Sequence, residues 1–207
     1  MEPIRYTTNE LENAIDYLEK AVFYFDNHED KHRFKWLMIT LHGALYSFGI
    51  CNIKSTNSTR RVYKYIEKKE LEEIVERVKK KHSKMVIGDQ SYEAFVQYGT
   101  FVYGKVLDIK TVLGRCKSLK YMTQNTESKI LKTNQLQQIA IDKLIRYRND
   151  FAHFKPMGYA ITGNYDIDII KPVIEVVTQL ALETNNVSYF EEESRKRVED
   201  ALESFVF

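Results

Sequence analysis

Proline and glycine are scarce in this chain. Its 207 residues hold only 3 prolines and 8 glycines, too few for a sandwich or barrel built from many tight turns. The prolines stand at positions 3, 156 and 172, so 4–155 is free of the strongest helix breaker. A mostly α-helical fold follows. Cysteine is scarce too: Cys51 and Cys116 have no metal-ligand or redox spacing and read as buried thiols. No glycine-rich phosphate loop is present. The N-terminal MEPIRYTTNELEN lacks a signal-peptide pattern. The most apolar run, 36–53, is interrupted by His42, Ser47 and Gly49, so no membrane span is expected. The expected compartment is a reducing cytoplasm.

What is present suits a soluble globular protein. Hydrophobic residues make up 43% and charged residues 29%, and the length fits a single domain over 1–207. Net charge is only +2 but unevenly spread: 60–133 carries 17 Lys/Arg against 9 Asp/Glu, and the rest 14 against 20. A basic middle on an acidic frame would suit a polyanionic partner, and a solvated helical surface gives the same balance.

Apolar periodicity places the helices. The first runs from Thr8 or Asn9 to about Phe25, with Asn9 and Glu12 at the capping-box interval. The second, from about Lys31 to Ile53, is apolar nearly all round and should be the most buried. His42 in its centre reads as a core histidine bonded to a neighbour's carbonyl, with a site-lining role as the minority reading. A charged helix covers 61–85 and another stretch 91–113, while 114–134 is ambiguous. Asn134 caps a helix from Gln135 to about Phe154, with an apolar stripe through Leu136, Ala140, Leu144, Tyr147 and Phe151; Pro156 closes it. The alternation in 158–169 around Thr162-Gly163-Asn164 reads as a short β-hairpin or an extended turn. A helix from about Ile169 to Glu183 follows, then a last one after a Ser188–Glu191 capping box. Asp166 and Asp168 are spaced as a metal pair would be, but turn and cap duty for Asp168 is the stronger reading.

The segment RYRNDFAHFKP, 146–156, carries the chemistry. Asn149 and His153 are four apart and share a helix face, with Arg148 flanking them. Arginine offers a permanent charge and a fork of donors suited to phosphate. Histidine can give or take a proton near neutrality, and asparagine can orient either one. Taken as composition alone, these residues also fit an ordinary polar helix end.

Arg148-Asn149-Asp150-Phe151-Ala152-His153 resembles the R-(N/H/D)-x-x-x-H signature of HEPN domains (higher eukaryotes and prokaryotes nucleotide-binding), and LIRYRNDFAHFKP looks like their motif helix. The resemblance implies an all-α, HEPN-like bundle of long antiparallel helices, in which 55–133 would be a basic, helical insertion. It implies a metal-independent endoribonuclease without a cofactor, whose two protomers face their motif helices to form one composite site. Arg148, Asn149 and His153 would be catalytic. Arg146, Lys155, Arg60, Arg61, Lys79, Lys80 and Lys81 would hold the RNA. The implied partners are RNA, a second copy of the chain and a protein antitoxin or inhibitor, in toxin–antitoxin or antiviral defence. In HEPN toxins with a nucleotidyltransferase antitoxin the motif continues as H-x-Y; here that position is Lys155. The rival readings are a non-catalytic HEPN-like module that binds RNA, nucleotide or protein, and a purely structural helical adaptor.

Overall fold

The computed structural model describes residues 7–54, 59–81, 96, 99–100, 102–153, 158 and 160–207. These residues are overwhelmingly helical. Their only β-structure is one isolated antiparallel bridge between Tyr63 and Val106.

Helix α1, Glu10–Asp26, starts where Asn9 accepts a hydrogen bond from the Glu12 amide. Its buried face is Ala14, Ile15, Leu18, Ala21 and Phe25, the 3–4 spacing of an amphipathic helix. Helix α2, Arg33–Ile53, folds back against it: Tyr24 stacks on Trp36, and the Tyr17 ring lies on Gly43. A Cβ at Gly43 would come within 2.4 Å of that ring, so glycine sets how closely the two helices approach. Gly49 does the same for a third helix, because its Cβ would sit 2.8 Å from Val112.

Helix α2 is the core of the domain, as its all-round apolarity predicts. It is long and apolar enough to cross a membrane, contrary to the sequence expectation, yet 78% of that stretch is buried among the other helices. Two buried polar residues near its ends, Arg33 and Asn52, tie it to other segments. At the start, buried Arg33 donates from Nε and Nη2 to the Phe25 carbonyl at 3.0 and 2.8 Å, and from Nη1 to the Tyr165 hydroxyl at 3.0 Å. Asp166 lies 3.4 Å away. At the other end, buried Asn52 donates to the Phe48 and Leu180 carbonyls, both at 2.8 Å, and accepts from the Thr184 hydroxyl at 2.7 Å. Asn186 donates to the Asn52 carbonyl and accepts from Ser128 and from the Gln124 amide. This network holds 121–131, which has no regular structure, against the core.

The short helix α3, Thr59–Val62, leads into α4, Lys68–Lys81. The continuous helix expected over 91–113 is broken. The chain leaves the helix at Gly104, pairs with 62–64 through the Lys64 amide to the Lys105 carbonyl and the Leu107 amide to the Val62 carbonyl, and restarts at α5, Ile109–Cys116. Asp108 starts α5 by accepting from the amide and hydroxyl of Thr111.

Helix α6, Gln135–Ala152, has a complete capping box between Asn134 and Gln137. Its expected stripe is corrected at the first position. Leu136 is 71% exposed, and Gln137 is buried instead, because its side chain serves the cap and bonds Glu175 at 2.8 Å.

The expected hairpin does not form. Described residues of 158–169 contain no strand, and Asp166–Ile170 is a π-helical turn that runs into α7, Lys171–Thr178. Ile169 and Ile170 are adjacent and both buried, which an alternating strand cannot achieve. Pro172 has no amide to give residue 168, and the turn before it widens, with the Lys171 amide reaching the Asp166 carbonyl. Asn164, not Asp168, caps this turn, through the Ile167 amide. A second π-helical turn, Gln179–Glu183, follows α7.

The last helix, α8, is Glu192–Glu203. It starts later than the Ser188 signal suggests, at Glu191 without a side-chain cap. Arg197 ties it to α1, pairing with Glu19 at 2.7 and 2.8 Å and with Glu12 at 2.9 Å.

The Asn52 network generates a stability test. Asn52→Ala removes the donor to the Phe48 and Leu180 carbonyls and the 2.7 Å acceptor of the Thr184 hydroxyl, which keeps only its 3.1 Å bond to the Leu180 carbonyl; each lost buried bond costs roughly 0.5–1.5 kcal/mol. Urea unfolding should show a loss of about 2–4 kcal/mol. A loss within the few tenths typical of a surface change would refute this role for Asn52.

Candidate active site at the end of helix α6

The last two turns of α6 divide into an aromatic side and a polar side. Tyr147 and Phe151 turn inward and meet Phe34 edge-on, with ring centroids 5.1 and 5.9 Å away, and Phe34 also meets Tyr165 at 4.7 Å. Phe34 follows Arg33, so the bonds that fix the start of α2 also fix the wedge supporting the motif. Arg146 lies outside this cluster, exposed and over the Tyr147 ring.

On the polar side, Arg148 donates from Nη1 to Asn149 Oδ1 at 3.0 Å, and both side chains are half-buried. Both line a groove of about 580 Å³ that runs between α1–α2, the start of α5 and α6. His153 is the C-cap of α6: its amide bonds the Asn149 carbonyl at 3.1 Å and its side chain is exposed. It is not among the described residues that line the groove. The motif is therefore split within one chain, with Arg148 and Asn149 inside the groove and His153 beyond its end.

The basic residues expected to hold RNA are placed less uniformly. Arg61 is committed to structure, donating to the Tyr121 carbonyl and the Thr123 hydroxyl, both at 3.1 Å. Lys79 pairs with Glu76 at 3.0 Å along α4, and Lys80 is exposed on the same helix. Neither they nor Arg61 line the groove. The side chains of Arg60 and Lys81, and all of Lys155, lie outside the described residues.

The groove's other wall holds a residue that sequence reasoning weighted the wrong way. His42 is only 9% exposed, yet it bonds no carbonyl; it makes no hydrogen bond to a described residue. No enclosed polar side-chain atom among the described residues lacks a partner, so the imidazole opens into the groove. A signal for this was present. His42 and Tyr46 are four apart, as are Gly43 and Ser47, which puts two mixed rows on one face of an otherwise apolar helix. Burial, and then the nearby Arg148 charge, push His42 down to about 4. Burial also pushes both thiols up, to about 12. The described residues contain no cluster of His, Cys, Asp and Glu able to hold a metal ion.

No family model, curated protein or solved structure matches the chain.

The His42 environment fixes a pH dependence. The unfolded chain takes up a proton as pH falls through about 6.5, whereas folded His42 stays neutral until about 4. The unfolded state thus binds more protons inside that window, and stability falls as pH falls through it, by on the order of 3 kcal/mol in full. His42→Gln removes this contribution. Urea titrations at neutral and mildly acid pH should show a smaller acid loss in the variant; equal losses in the two proteins would contradict the placement of His42.

Proposed function

We propose that the chain is a metal-independent endoribonuclease of HEPN type, acting at a composite site between two protomers in a toxin–antitoxin or antiviral defence setting. The observation that carries this reading is the arrangement at the end of α6. Arg148 is oriented by Asn149 at a groove edge, and one turn later an exposed histidine ends the helix.

The chemistry assigns a role to each group. Arg148 binds the scissile phosphate and stabilises charge as the pentacoordinate state forms. Asn149 holds the guanidinium in place. In-line attack needs a base at the ribose 2′-oxygen and an acid at the departing 5′-oxygen, and one chain supplies one exposed motif histidine. A two-fold pairing supplies two. One His153 takes the 2′-proton while the 2′-oxygen bonds to phosphorus. The P–O5′ bond breaks, and the partner's His153 protonates the leaving oxygen. The products are a 2′,3′-cyclic phosphate and a 5′-hydroxyl, and DNA resists for want of the attacking group.

A second reading, a non-catalytic HEPN-like module for RNA, nucleotide or protein, draws on one observation: His153 does not share the groove with Arg148 and Asn149.

The two readings separate in one assay. Cleavage of single-stranded RNA in EDTA should fall by at least about a hundredfold in both Arg148→Ala and His153→Ala, while light scattering shows the dimer retained. Activity surviving in both variants sinks the ribonuclease. RNA binding by the wild type without cleavage selects the binding module.

A further inference from the structure

The groove behind Arg148 is more elaborate than a phosphate contact needs. Arg148 stands at one end, where a fork of donors suits an anionic oxygen pair. The lining also carries Asp108, whose carboxylate is engaged by Thr111, and Lys110, which pairs with Asp142 at 2.8 Å. Arg148 is the charge that acts on His42, and Asp108 the charge that acts on Tyr46.

Elsewhere the walls are apolar and aromatic. Tyr46 spends its hydroxyl on the Leu107 carbonyl at 2.6 Å, so what it offers the groove is its ring. Tyr17, 39% exposed, offers another. His42 lies in the same stretch, nine-tenths buried, without a hydrogen bond to a described residue and open to the groove. A neutral imidazole has one donor and one acceptor, which suits a hydroxyl or a base edge rather than a phosphate. The volume, about 580 Å³, lies within the roughly 300–1,000 Å³ typical of small-molecule sites.

We propose that this groove is a nucleoside subsite inside each protomer, taking a ribonucleoside phosphate with its phosphate on Arg148, its flat base against Tyr17 and Tyr46, and a hydrogen bond from its ribose or base to His42. The choice of ribonucleotide rests on the ribonuclease reading, which it deepens by giving the substrate a site for the nucleotide next to the scissile phosphate. His42 is a positioning residue here and moves no proton.

Calorimetric titration of the intact dimer tests this in EDTA at neutral pH, with the four ribonucleoside 3′-monophosphates and inorganic phosphate as probes. At least one nucleotide should bind about tenfold or more tighter than phosphate. His42→Leu should erase most of that advantage while leaving phosphate affinity unchanged, and His42→Gln should restore part of it. Tyr17→Ala, which trims a 39% exposed ring from the α1–α2 contact at Gly43, should weaken nucleotide binding by about tenfold from lost stacking, with urea unfolding of the variant showing that the fold is kept. Arg148→Ala should weaken nucleotide and phosphate alike. The subsite is overturned if all four nucleotides bind no tighter than phosphate, or if both His42→Leu and Tyr17→Ala keep the advantage. Its fate is separable from that of the enzyme: selective nucleotide binding by a chain that cuts no RNA keeps the groove and discards the ribonuclease, and cleavage without nucleotide selectivity does the reverse.

Discussion

A buried guanidinium sets the geometry of this domain. Arg33 is almost fully enclosed, and a charge so placed must be met by acceptors fixed in position. It finds them on two other segments, at the Phe25 carbonyl that ends α1 and at Tyr165 with Asp166, where the chain turns into α7. Three ends are thereby brought to one point. The Phe25 bond also satisfies a carbonyl that the end of α1 leaves without a helical partner. Phe34 is then driven between Tyr147, Phe151 and Tyr165. The aromatic side of the motif helix packs on that wedge, and the polar side is turned toward the groove as a result. Asn52 does comparable work at the far end of α2 with neutral groups. The most apolar helix of the chain is thus held in register by the two polar residues near its ends.

Much of this was legible in the sequence, for physical reasons. Helices α1, α2 and α6 follow directly from apolar spacing, and the caps at Asn9 and Asn134 depend only on residues three apart. What failed depended on distant partners. The break at Gly104 is stabilised by pairing with 62–64, some forty residues upstream, which no local window contains. The alternation in 158–169 mimics a strand, but a tertiary demand to bury both Ile169 and Ile170 overrides it. Leu136 looked like core by its place in the stripe, but the capping side chain of Gln137 took the inward position of that turn.

The motif was legible as a string but not as a place. Spacing on a helix puts Asn149 and His153 on one face, yet His153 is the residue at which the helix stops, and its side chain leaves the groove that Asn149 lines. His42 shows the converse. It lies more than a hundred residues from Arg148 in sequence and faces the same space, and a histidine in a buried helix carries no sign of which neighbour it will meet. The division leaves the chain with a groove wall that holds Arg148 and Asn149 and a motif histidine that is not part of it.

The clamp of Arg197 on Glu12 and Glu19 bears on the order of synthesis. Helix α1 leaves the ribosome first, but its ionic partners on α8 are made nearly two hundred residues later. Two of the Arg33 partners, Tyr165 and Asp166, also arrive after the motif helix has been translated. Contacts of such long sequence separation form late, since loop closure must come first. The motif helix therefore reaches its packed geometry only after residues 165 and 166 have been made and brought back onto Arg33 and Phe34.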